Sequence, residues 1–344
     1  MKIALVAPPL LPVPPVRYGG VERIVGVLAD GLLARGHDVT LFAPGDSTFP
    51  GRLVPTVPSG LWNEGFHPDP RAYFRQTTEL VLEQARDFDV IHTHIDENGL
   101  EIAAASPVPV IGTMHGRTDV DPLAGAIRRS LDARLVAISD SQRSFIPDAN
   151  WIATIHHGLD FSSVAAGKGD LDYLVFVGRL SRDKGVEEVV EVARRAGLLL
   201  RVAAKALDPR EREMYDTVIV PAVSEGIVEF LGEVGEAERD RLIGGALATV
   251  MLSRWPEPFG LVAIESLASG TPVIASRSGA LPEIVIDGVD GFVVDDVAAA
   301  VAAVEHVAHL DRALIRQRAL ERFSAGRMLD DYERVYRTVA GERD

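Results

Sequence analysis

Residues 248–265 read ATVMLSRWPEPFGLVAIE, and this stretch decides the fold. Its first five residues, Ala248–Leu252, form an apolar run that is typical of a buried strand. A Pro-Phe-Gly turn follows, and the residues from Gly260 onward have the apolar pattern of a helix. A strand that leads through a tight turn into a helix is the repeating unit of an open α/β sheet. Such a sheet presents backbone N–H groups to anions at the carboxyl edge of its strands.

The same alternation of predicted strands and helices extends through the whole chain, which predicts mainly parallel sheets with helices on both faces. Small and polar residues interrupt it at Ala165–Asp170. We therefore predict two Rossmann-like domains, residues 1–167 and 168–322, followed by a C-terminal helix in residues 323–344. Pro50–Pro70 is predicted to be a long loop, and Arg312–Ala340 to form one or two amphipathic helices.

The composition excludes several classes of function. The 344 residues carry a formal net charge of −15, which argues against a general nucleic-acid binder. Without cysteine, the chain has no disulfide, thiolate nucleophile or cysteine-ligated zinc site. No apolar run approaches the roughly 18 residues that a membrane-spanning helix needs. We predict a cytoplasmic protein, and the sequence leaves membrane association open without indicating it.

Two cations follow the apolar run Tyr173–Val177, a predicted strand of the second domain. They occur in Gly178-Arg179 and Lys184-Gly185. Glycine after a strand lets a ligand approach the backbone closely. Arginine offers a forked donor and lysine a compact charge, and both suit a diphosphate. Solvated surface cations are the alternative, but the spacing and the glycines favour a diphosphate site.

Two glutamates flank the Pro-Phe-Gly turn. Glu257 precedes the predicted helix and can accept hydrogen bonds from sugar hydroxyls, whereas Glu265 lies within it and can bind the hydroxyls of a ribose. The amides of Phe259, Gly260 and Leu261 lie at the helix start, where the helix dipole favours phosphate. A capping glutamate and an exposed helical glutamate would also explain the spacing. The turn between them favours a nucleotide-sugar site.

The first domain contributes a glycine pair and three histidines. Gly19-Gly20 enters the first helix and predicts a second anion-binding turn, but it is not the glycine fingerprint of a dinucleotide-binding dehydrogenase. His92, His94 and His115 follow predicted strands and should lie at the carboxyl edge of the sheet. A His-x-His pair can bind a metal, but no third ligand has a matching spacing, which favours histidines that line a cleft. His115 is the candidate for a contact with a donor sugar.

Taken together, these residues resemble family 4 glycosyltransferases of the GT-B fold over nearly the whole chain. The matching stretches are Tyr18–Arg23, Gly36–Phe42, Thr113–Gly116, Phe176–Leu180, Phe230–Val234 and Trp255–Glu283. The last helix, with Phe323 and Tyr332, is similar to the family element that crosses back to the N-terminal domain. One turn departs from the family pattern, because His157–Asp160 reads HGLD where the family often has NGVD.

The resemblance implies two Rossmann-like domains that face each other across a cleft. It also implies retaining transfer of a sugar from a nucleotide-diphosphate sugar, with a UDP-sugar favoured and a GDP-sugar next. Neither a cofactor nor a divalent metal is expected, because Arg179 and Lys184 would stabilise the leaving diphosphate. The implied contacts are Glu257 and His115 with the sugar, Glu265 with the ribose, Phe230 and Leu231 with the base, and Gly19, Gly20, Gly178 and the Phe259–Leu261 amides with phosphate or sugar.

Two other classes of function remain. One is another enzyme on the same scaffold, a sugar-nucleotide epimerase or a phosphorylase. The first would need further acids and bases in the cleft, and the second a lysine for pyridoxal phosphate; neither motif is recognisable. The other class is a non-catalytic binder of nucleotide sugars. The first-domain loops carry no basic cluster, which favours a small-molecule, natural-product or glycan acceptor.

Overall fold

The computed structural model describes residues 1–16, 19–63, 69–169, 172–206 and 208–341. Tyr18 of the first glycine motif and Asp170 of the predicted domain boundary lie outside these ranges. The chain divides into two compact units. Unit 1 comprises Met1–Asp160 and the chain from Phe323 onward, and unit 2 comprises Phe161–Arg322. The sequence prediction sets the first of these divisions after residue 167.

Within the described ranges, the strands form two parallel sheets. The strands are β1 (Lys2–Val6), β2 (Asp38–Ala43), β3 (Arg52–Pro55), β4 (Val90–Thr93), β5 (Val110–Thr113), β6 (Arg134–Ala137), β7 (Trp151–Thr154), β8 (Tyr173–Arg179), β9 (Leu199–Lys205), β10 (Val228–Gly232), β11 (Ala248–Met251), β12 (Val273–Ser276) and β13 (Gly291–Val294).

Helices connect most of these strands. They are α1 (Gly20–Ala34), α2 (Arg71–Glu83), α3 (Asp96–Ala105), α4 (Leu123–Arg128), α5 (Asp140–Ser144), α6 (Val186–Ala196), α7 (Pro209–Met214), α8 (Val220–Ser224), α9 (Glu236–Gly245), α10 (Leu261–Ala268), α11 (Leu281–Ile284), α12 (Val297–Val307), α13 (Arg312–Phe323) and α14 (Ala325–Ala340). The tail therefore forms two helices, and Ser324 caps the second by accepting a hydrogen bond from the Arg327 amide.

The sheet of unit 1 has the order β3-β2-β1-β4-β5-β6-β7 in the described part of the chain. Its neighbouring strands run parallel, so their carboxyl ends share one edge. The direction of strand succession reverses between β1 and β4, and open α/β sheets bind ligands beside such a reversal. The central strands β1 and β4 are buried on both faces, which explains the continuous apolar sequence of β1 after Lys2.

The sheet of unit 2 repeats this arrangement with the order β10-β9-β8-β11-β12-β13 among the described residues. Here the reversal lies between β8 and β11, the two strands that precede the cations and the glutamate turn. The apolar faces of α6 and α12 pack on one side of this sheet and share its core with Leu174, Val202 and Val250. The prediction of two Rossmann-like α/β domains is thus confirmed.

The prediction of a long loop over Pro50–Pro70 is wrong at its start, where Arg52–Pro55 forms β3 beside β2. This strand is short, only half-buried and at the edge of the sheet. Its terminal proline is tolerated because an edge strand has an unpaired side. A strand of four residues among proline, glycine and serine residues is too short to give a recognisable apolar periodicity.

Helix α14 belongs to unit 1, although unit 2 separates it from the rest of that unit in the sequence. Leu329 fits over Gly31 of α1, where an added Cβ would lie 2.4 Å from its Cδ1 atom. Tyr332 and Tyr336 of the same helix are fully buried. This crossing helix therefore completes the core of unit 1. The helices of the described residues are all too short or too polar to cross a membrane.

Candidate functional site

The predicted cations of unit 2 lie at the carboxyl end of β8, beside the reversal of its sheet. Arg179 is the last residue of that strand, and Lys184 ends a 3₁₀ turn, Arg182–Lys184, in front of α6. Gly178 pairs with Ala204 of β9, and an added Cβ there would meet only the Phe176 ring. The space beside the Gly178 backbone therefore holds no closer atom of the described residues.

Glu257 is buried in the loop between β11 and α10, and its carboxylate is held from one side. Its Oε2 atom accepts hydrogen bonds from Lys184 Nζ at 2.7 Å, Trp255 Nε1 at 2.9 Å and Ser253 Oγ at 3.2 Å. Burial opposes ionisation, yet Lys184 and these hydrogen bonds hold the pKa of Glu257 below its usual value. Within the described residues, its Oε1 atom has no hydrogen-bond donor, so a charged acceptor is left for a ligand.

Trp255 joins the two cations, a contact that the sequence argument missed. The Lys184 Nζ atom lies 5.3 Å from the centre of the indole ring, and the Arg179 guanidinium carbon lies 5.8 Å from it. A π face attracts cations over such distances, and here it draws two like charges to one surface. The structure thus brings Arg179, Lys184 and Glu257 into one cluster around an indole.

The loop that carries this cluster is fixed from both sides. The Ser278 hydroxyl donates to the Trp255 carbonyl at 2.6 Å, and the Ala280 amide donates to the Glu257 carbonyl at 2.8 Å. On the other side, the Arg254 amide donates to the Asp183 carbonyl at 2.9 Å. Because both flanks are bonded to other loops, the carboxylate and the indole are placed before any ligand arrives.

Glu265 has a different environment from Glu257. It lies in α10, is buried, and its Oε1 atom lies 3.4 Å from Nη2 of Arg239 in α9. The same guanidinium also contacts Asp240 and Glu236. The structure therefore does not bring Glu265 into the Lys184–Glu257 ion pair, and Arg239 supplies it with a separate cation.

Helix α10 begins at Leu261, one residue later than predicted, with Gly260 as its N-cap. The first amides of any helix lack an intrahelical acceptor. Anion binding by the amides of residues 259–261 stays a prediction. The Phe259 ring is buried in the protein. Phe230 and Leu231 lie in the edge strand β10, where Phe230 meets the Tyr215 ring at 4.9 Å and Leu231 packs with the cluster around Tyr173 on the other face.

In unit 1, the Gly19-Gly20 turn leads into α1 as predicted. The N-terminal end of this helix, however, already carries a carboxyl group. Glu22 in its first turn is buried, and burial raises its pKa to about 7. An added Cβ at Gly19 would lie 3.1 Å from its Oε2 atom. A phosphate at this turn would therefore meet a carboxyl group, which the sequence argument did not consider.

His115 follows β5 and belongs to a column of four histidine rings. The ring centres are separated by 4.0 Å between His92 and His94, 5.2 Å between His94 and His115, and 5.2 Å between His115 and His157. The His115 amide donates to Asp96 Oδ1 at 2.7 Å, and burial raises the pKa of Asp96 to about 6. We call this set of four rings the histidine column.

Helix α14 closes the far end of the histidine column. His92 bonds through Nδ1 to the Tyr336 hydroxyl at 2.8 Å and through Nε2 to the Thr113 hydroxyl at 2.7 Å. The Thr113 hydroxyl in turn contacts the Tyr332 hydroxyl at 2.9 Å. His92 and His94 therefore bind protein groups, and the histidine, aspartate and glutamate side chains of the described ranges form no group of three that could hold a metal ion.

Two models of known protein families match this chain, one in each unit. The family described as Glycosyltransferase Family 4 matches residues 18–163, and the one described as Glycosyl transferases group 1 matches residues 161–322. The chain belongs to glycosyltransferase family 4. Among the relatives of this family 4 glycosyltransferase, the glycogen synthase of Mycobacterium tuberculosis is 28% identical over 95% of this chain and 90% of its own length. The D-inositol 3-phosphate glycosyltransferase of Arthrobacter sp. is 27% identical over 80% of this chain and 78% of its own length.

Solved structures agree with this assignment. AviGT4, a glycosyltransferase involved in avilamycin A biosynthesis, is 29% identical to this family 4 glycosyltransferase. The match covers 99% of this chain and 98% of AviGT4 with a TM-score of 0.76. Sucrose-phosphate synthase from Thermosynechococcus elongatus is 22% identical, with 99% and 100% coverage and a TM-score of 0.79. The fold is therefore that of the GT-B glycosyltransferases, as the sequence predicts.

Acid is expected to destabilise unit 1 of this family 4 glycosyltransferase through the histidine column. Burial lowers the pKa of His92 and His115 to about 3 and holds those of His94 and His157 well below 6.5. The unfolded chain, with histidine pKa values near 6.5, then binds more protons than the folded chain below that pH. The free energy of unfolding should fall as the pH drops from 6.5 towards 3, by up to about 1.4 kcal/mol per pH unit for each histidine.

Glu22 and Asp96 act in the opposite sense, because burial raises their pKa values in the folded state. Each stabilises the fold at low pH, and this contribution is lost as the pH rises through about 6 for Asp96 and about 7 for Glu22. Four histidines outweigh two carboxyl groups, so a net loss in acid remains. The measurement is denaturant unfolding from pH 7.5 to pH 4, followed by the fluorescence of Trp151, which is buried in unit 1, in a variant without Trp62 and Trp255. An unfolding midpoint that does not change with pH would contradict the prediction.

Proposed function

We propose that this protein transfers a sugar from a nucleoside-diphosphate sugar to a small-molecule, natural-product or glycan acceptor, with retention of configuration and without a metal ion. The donor would bind to unit 2, at the carboxyl ends of β8 and β11. The observation that carries the proposal is the ion pair between Lys184 and Glu257, whose charged atoms are 2.7 Å apart. Arg179 lies over the same Trp255 ring as Lys184. This cluster combines two cations with one charged acceptor, which are the groups that a diphosphate linked to a sugar needs.

The cations would do the main chemical work. When the sugar leaves, negative charge develops on the diphosphate, and groups that are already in place stabilise it without reorganisation. Arg179 can offer a forked donor to the phosphate oxygens, and Lys184 a point charge. These two charges are our reason to propose that no divalent metal is required. Retention of configuration is proposed from the family resemblance alone.

The carboxylates and the helix end would bind the rest of the donor. The Oε1 atom of Glu257 would accept hydrogen bonds from sugar hydroxyls, while Oε2 stays bonded to the protein. Glu265, with Arg239 beside it, would bind the ribose hydroxyls, and the amides at the start of α10 would hold phosphate or sugar. Phe230 and Leu231 would approach the base, and Gly178 the diphosphate. In unit 1, we propose contacts of His115 with the sugar and of the Gly19-Gly20 turn with phosphate or sugar.

Related proteins guide the choice of donor. HepE from Anabaena, which shares the fold at 18% identity, was crystallised with UDP-glucose, and starch synthase IV from Arabidopsis thaliana, at 16% identity, was crystallised with ADP and acarbose. We place UDP-sugars first and GDP-sugars second as candidates. The fold alone does not select the base, so the experiment must compare several nucleotides.

A thermal-shift panel tests the proposal. UDP, GDP, ADP and TDP, each with and without Mg²⁺, are added to the full chain, and at least one diphosphate should raise the melting temperature equally in both conditions. Arg179→Ala should weaken binding of that diphosphate by about tenfold or more and affect the monophosphate far less, because it removes a charge-assisted contact to phosphate. The matched control is Arg277→Ala, an exposed arginine of unit 2 that pairs with Asp295.

Three outcomes would contradict parts of the proposal. The proposed function is wrong if none of the nucleotides stabilises the protein. Binding that requires Mg²⁺ would overturn metal independence. Binding of donor sugars without transfer or donor hydrolysis would instead indicate a non-catalytic binder of nucleotide sugars.

A further inference from the structure

We propose that His94 is a positioning residue that fixes His115 in the tautomer with its proton on Nδ1, so that His115 meets its ligand as a hydrogen-bond donor. The tautomer follows from the structure of unit 1 alone. The statement that the ligand is the transferred sugar rests on the proposed function. The class of group recognised is an oxygen acceptor, such as a sugar hydroxyl.

A single proton links the two rings. Nδ1 of His94 lies 2.9 Å from Nε2 of His115, a hydrogen-bond distance between two ring nitrogens. A neutral imidazole has one nitrogen that donates and one that accepts. Both rings are neutral, because burial lowers the pKa of His115 to about 3 and that of His94 also falls well below its usual value. One of the two facing nitrogens therefore carries the proton and the other accepts it.

The far side of the His94 ring decides which nitrogen donates. Its Nε2 atom is buried and has no hydrogen-bond partner within the described residues. A proton on Nε2 would leave a buried N–H group without an acceptor, which folded proteins rarely contain, whereas an unused acceptor is better tolerated. The proton of His94 therefore lies on Nδ1 and is donated to Nε2 of His115. His115 must then carry its own proton on Nδ1.

That Nδ1–H group of His115 is the part of the ring left for a ligand. Among the described residues it has no hydrogen-bond partner, and it is not among the fully buried atoms that lack one. The backbone beneath it is fixed, because the His115 amide donates to Asp96 and the Gly116 carbonyl accepts from Gln142 Nε2 at 2.8 Å. His115 thus presents one N–H donor in a set direction.

The surroundings of the two rings explain why this state should persist across pH. The titratable and charged groups around His94 and His115 are the other two rings of the histidine column, Asp96 on α3, and Tyr332, Tyr336 and Arg327 on α14. Burial lowers the pKa of His92 and His157 and raises those of the two tyrosines, so these side chains stay uncharged near neutral pH. Asp96 becomes ionised near pH 6, but its contacts are with backbone amides.

The test is nitrogen NMR of the histidine rings in the full chain labelled with ¹⁵N, which requires no substrate. The His115 signals, assigned by comparison with His115→Ala, should show a protonated Nδ1 and an unprotonated Nε2 from pH 5.5 to pH 8. A proton on Nε2, or titration of the ring near pH 6.5, would overturn the proposal. The result is independent of the nucleotide panel, so the tautomer and the proposed function can fail separately.

Three variants separate positioning from packing. His94→Phe keeps a ring but removes the donor, so His115 should populate both tautomers. His94→Asn restores a donor near the place of Nδ1 and should restore the tautomer, and His157→Phe should leave it unchanged. In a transfer assay, His94→Phe should lower kcat by about tenfold, the effect of one lost hydrogen bond, without a change in diphosphate affinity. If His94→Phe leaves the tautomer unchanged, His94 does not position His115.

Discussion

The Lys184→Ala variant is expected to lose at least about 100-fold in kcat and to unfold more easily than the parent protein. Activity should fall because one of the two cations proposed for the leaving diphosphate is gone, and a single lost donor of this kind costs about 10²–10³-fold. Stability should fall because the ion pair of 2.7 Å is broken and the buried Glu257 is left without its cation. Such a loss typically costs about 3–5 kcal/mol.

The pH dependence of this variant gives a second readout. Glu257 has a lowered pKa in the parent protein, so it stabilises the fold above the usual glutamate pKa and loses that contribution as the pH falls through its folded value. Without Lys184, burial should raise the pKa of Glu257. The loss of stability in Lys184→Ala should therefore diminish on acidification, as Glu257 takes up a proton.

A double-mutant cycle separates stability from activity. Glu257→Gln removes the charge but keeps the shape, so Lys184→Ala/Glu257→Gln should recover most of the stability and none of the activity. Lys168→Ala, at an exposed lysine of unit 2, is the matched control and should change neither. If Lys184→Ala retains both stability and diphosphate affinity, the ion pair is not the core of the donor site.

Gly185→Ala is expected to destabilise unit 2 by about 3 kcal/mol or more and to abolish nucleotide binding. Gly185 is the N-cap of α6 and has φ 67°, a backbone conformation that costs an alanine about 1–2 kcal/mol. The added Cβ would also lie 1.9 Å from the carbonyl oxygen of Leu252. Because Leu252 leads into the loop that carries Trp255 and Glu257, relief of this clash must displace the proposed donor site.

The other end of the same helix supplies the control. Gly197 follows α6 with the same φ of 67° and nearly the same ψ, but an added Cβ there would meet nothing within 4 Å. Gly197→Ala should therefore cost only the backbone strain, about 1–2 kcal/mol, and leave nucleotide affinity unchanged. Chemical denaturation and calorimetric titration with the best diphosphate measure both effects. Equal losses in the two variants would show that the contact with Leu252 is unimportant.

The sequence was sufficient to predict the architecture. Apolar runs alternate with helical patterns because parallel strands buried on both faces need continuous apolar residues, as in Tyr173–Val177 and Ala248–Leu252. The Arg179, Lys184 and Glu257 side chains could be assigned to one sheet edge, since parallel strands end there together. The short edge strand Arg52–Pro55 was missed because it is only half-buried and surrounded by turn residues.

The pairings inside the site could not be predicted. Lys184 and Glu257 are 73 residues apart in the sequence, and no periodicity indicates that they form an ion pair. The indole of Trp255 lay within the quoted motif, but its role depends on two cations that arrive from another loop. The histidine column required α14, because His92 and Tyr336 are 244 residues apart in the sequence. Such partners are determined by tertiary packing rather than by local pattern.

The return of the chain from unit 2 to unit 1 has a consequence for biosynthesis. Unit 2 is continuous in sequence, so it can fold as soon as its residues have left the ribosome. Unit 1 cannot, because the two tyrosines that cover His92 come from α14, which is translated after the whole of unit 2. The core of unit 1 is therefore complete only after α14 has been translated, and His92 stays uncovered until then.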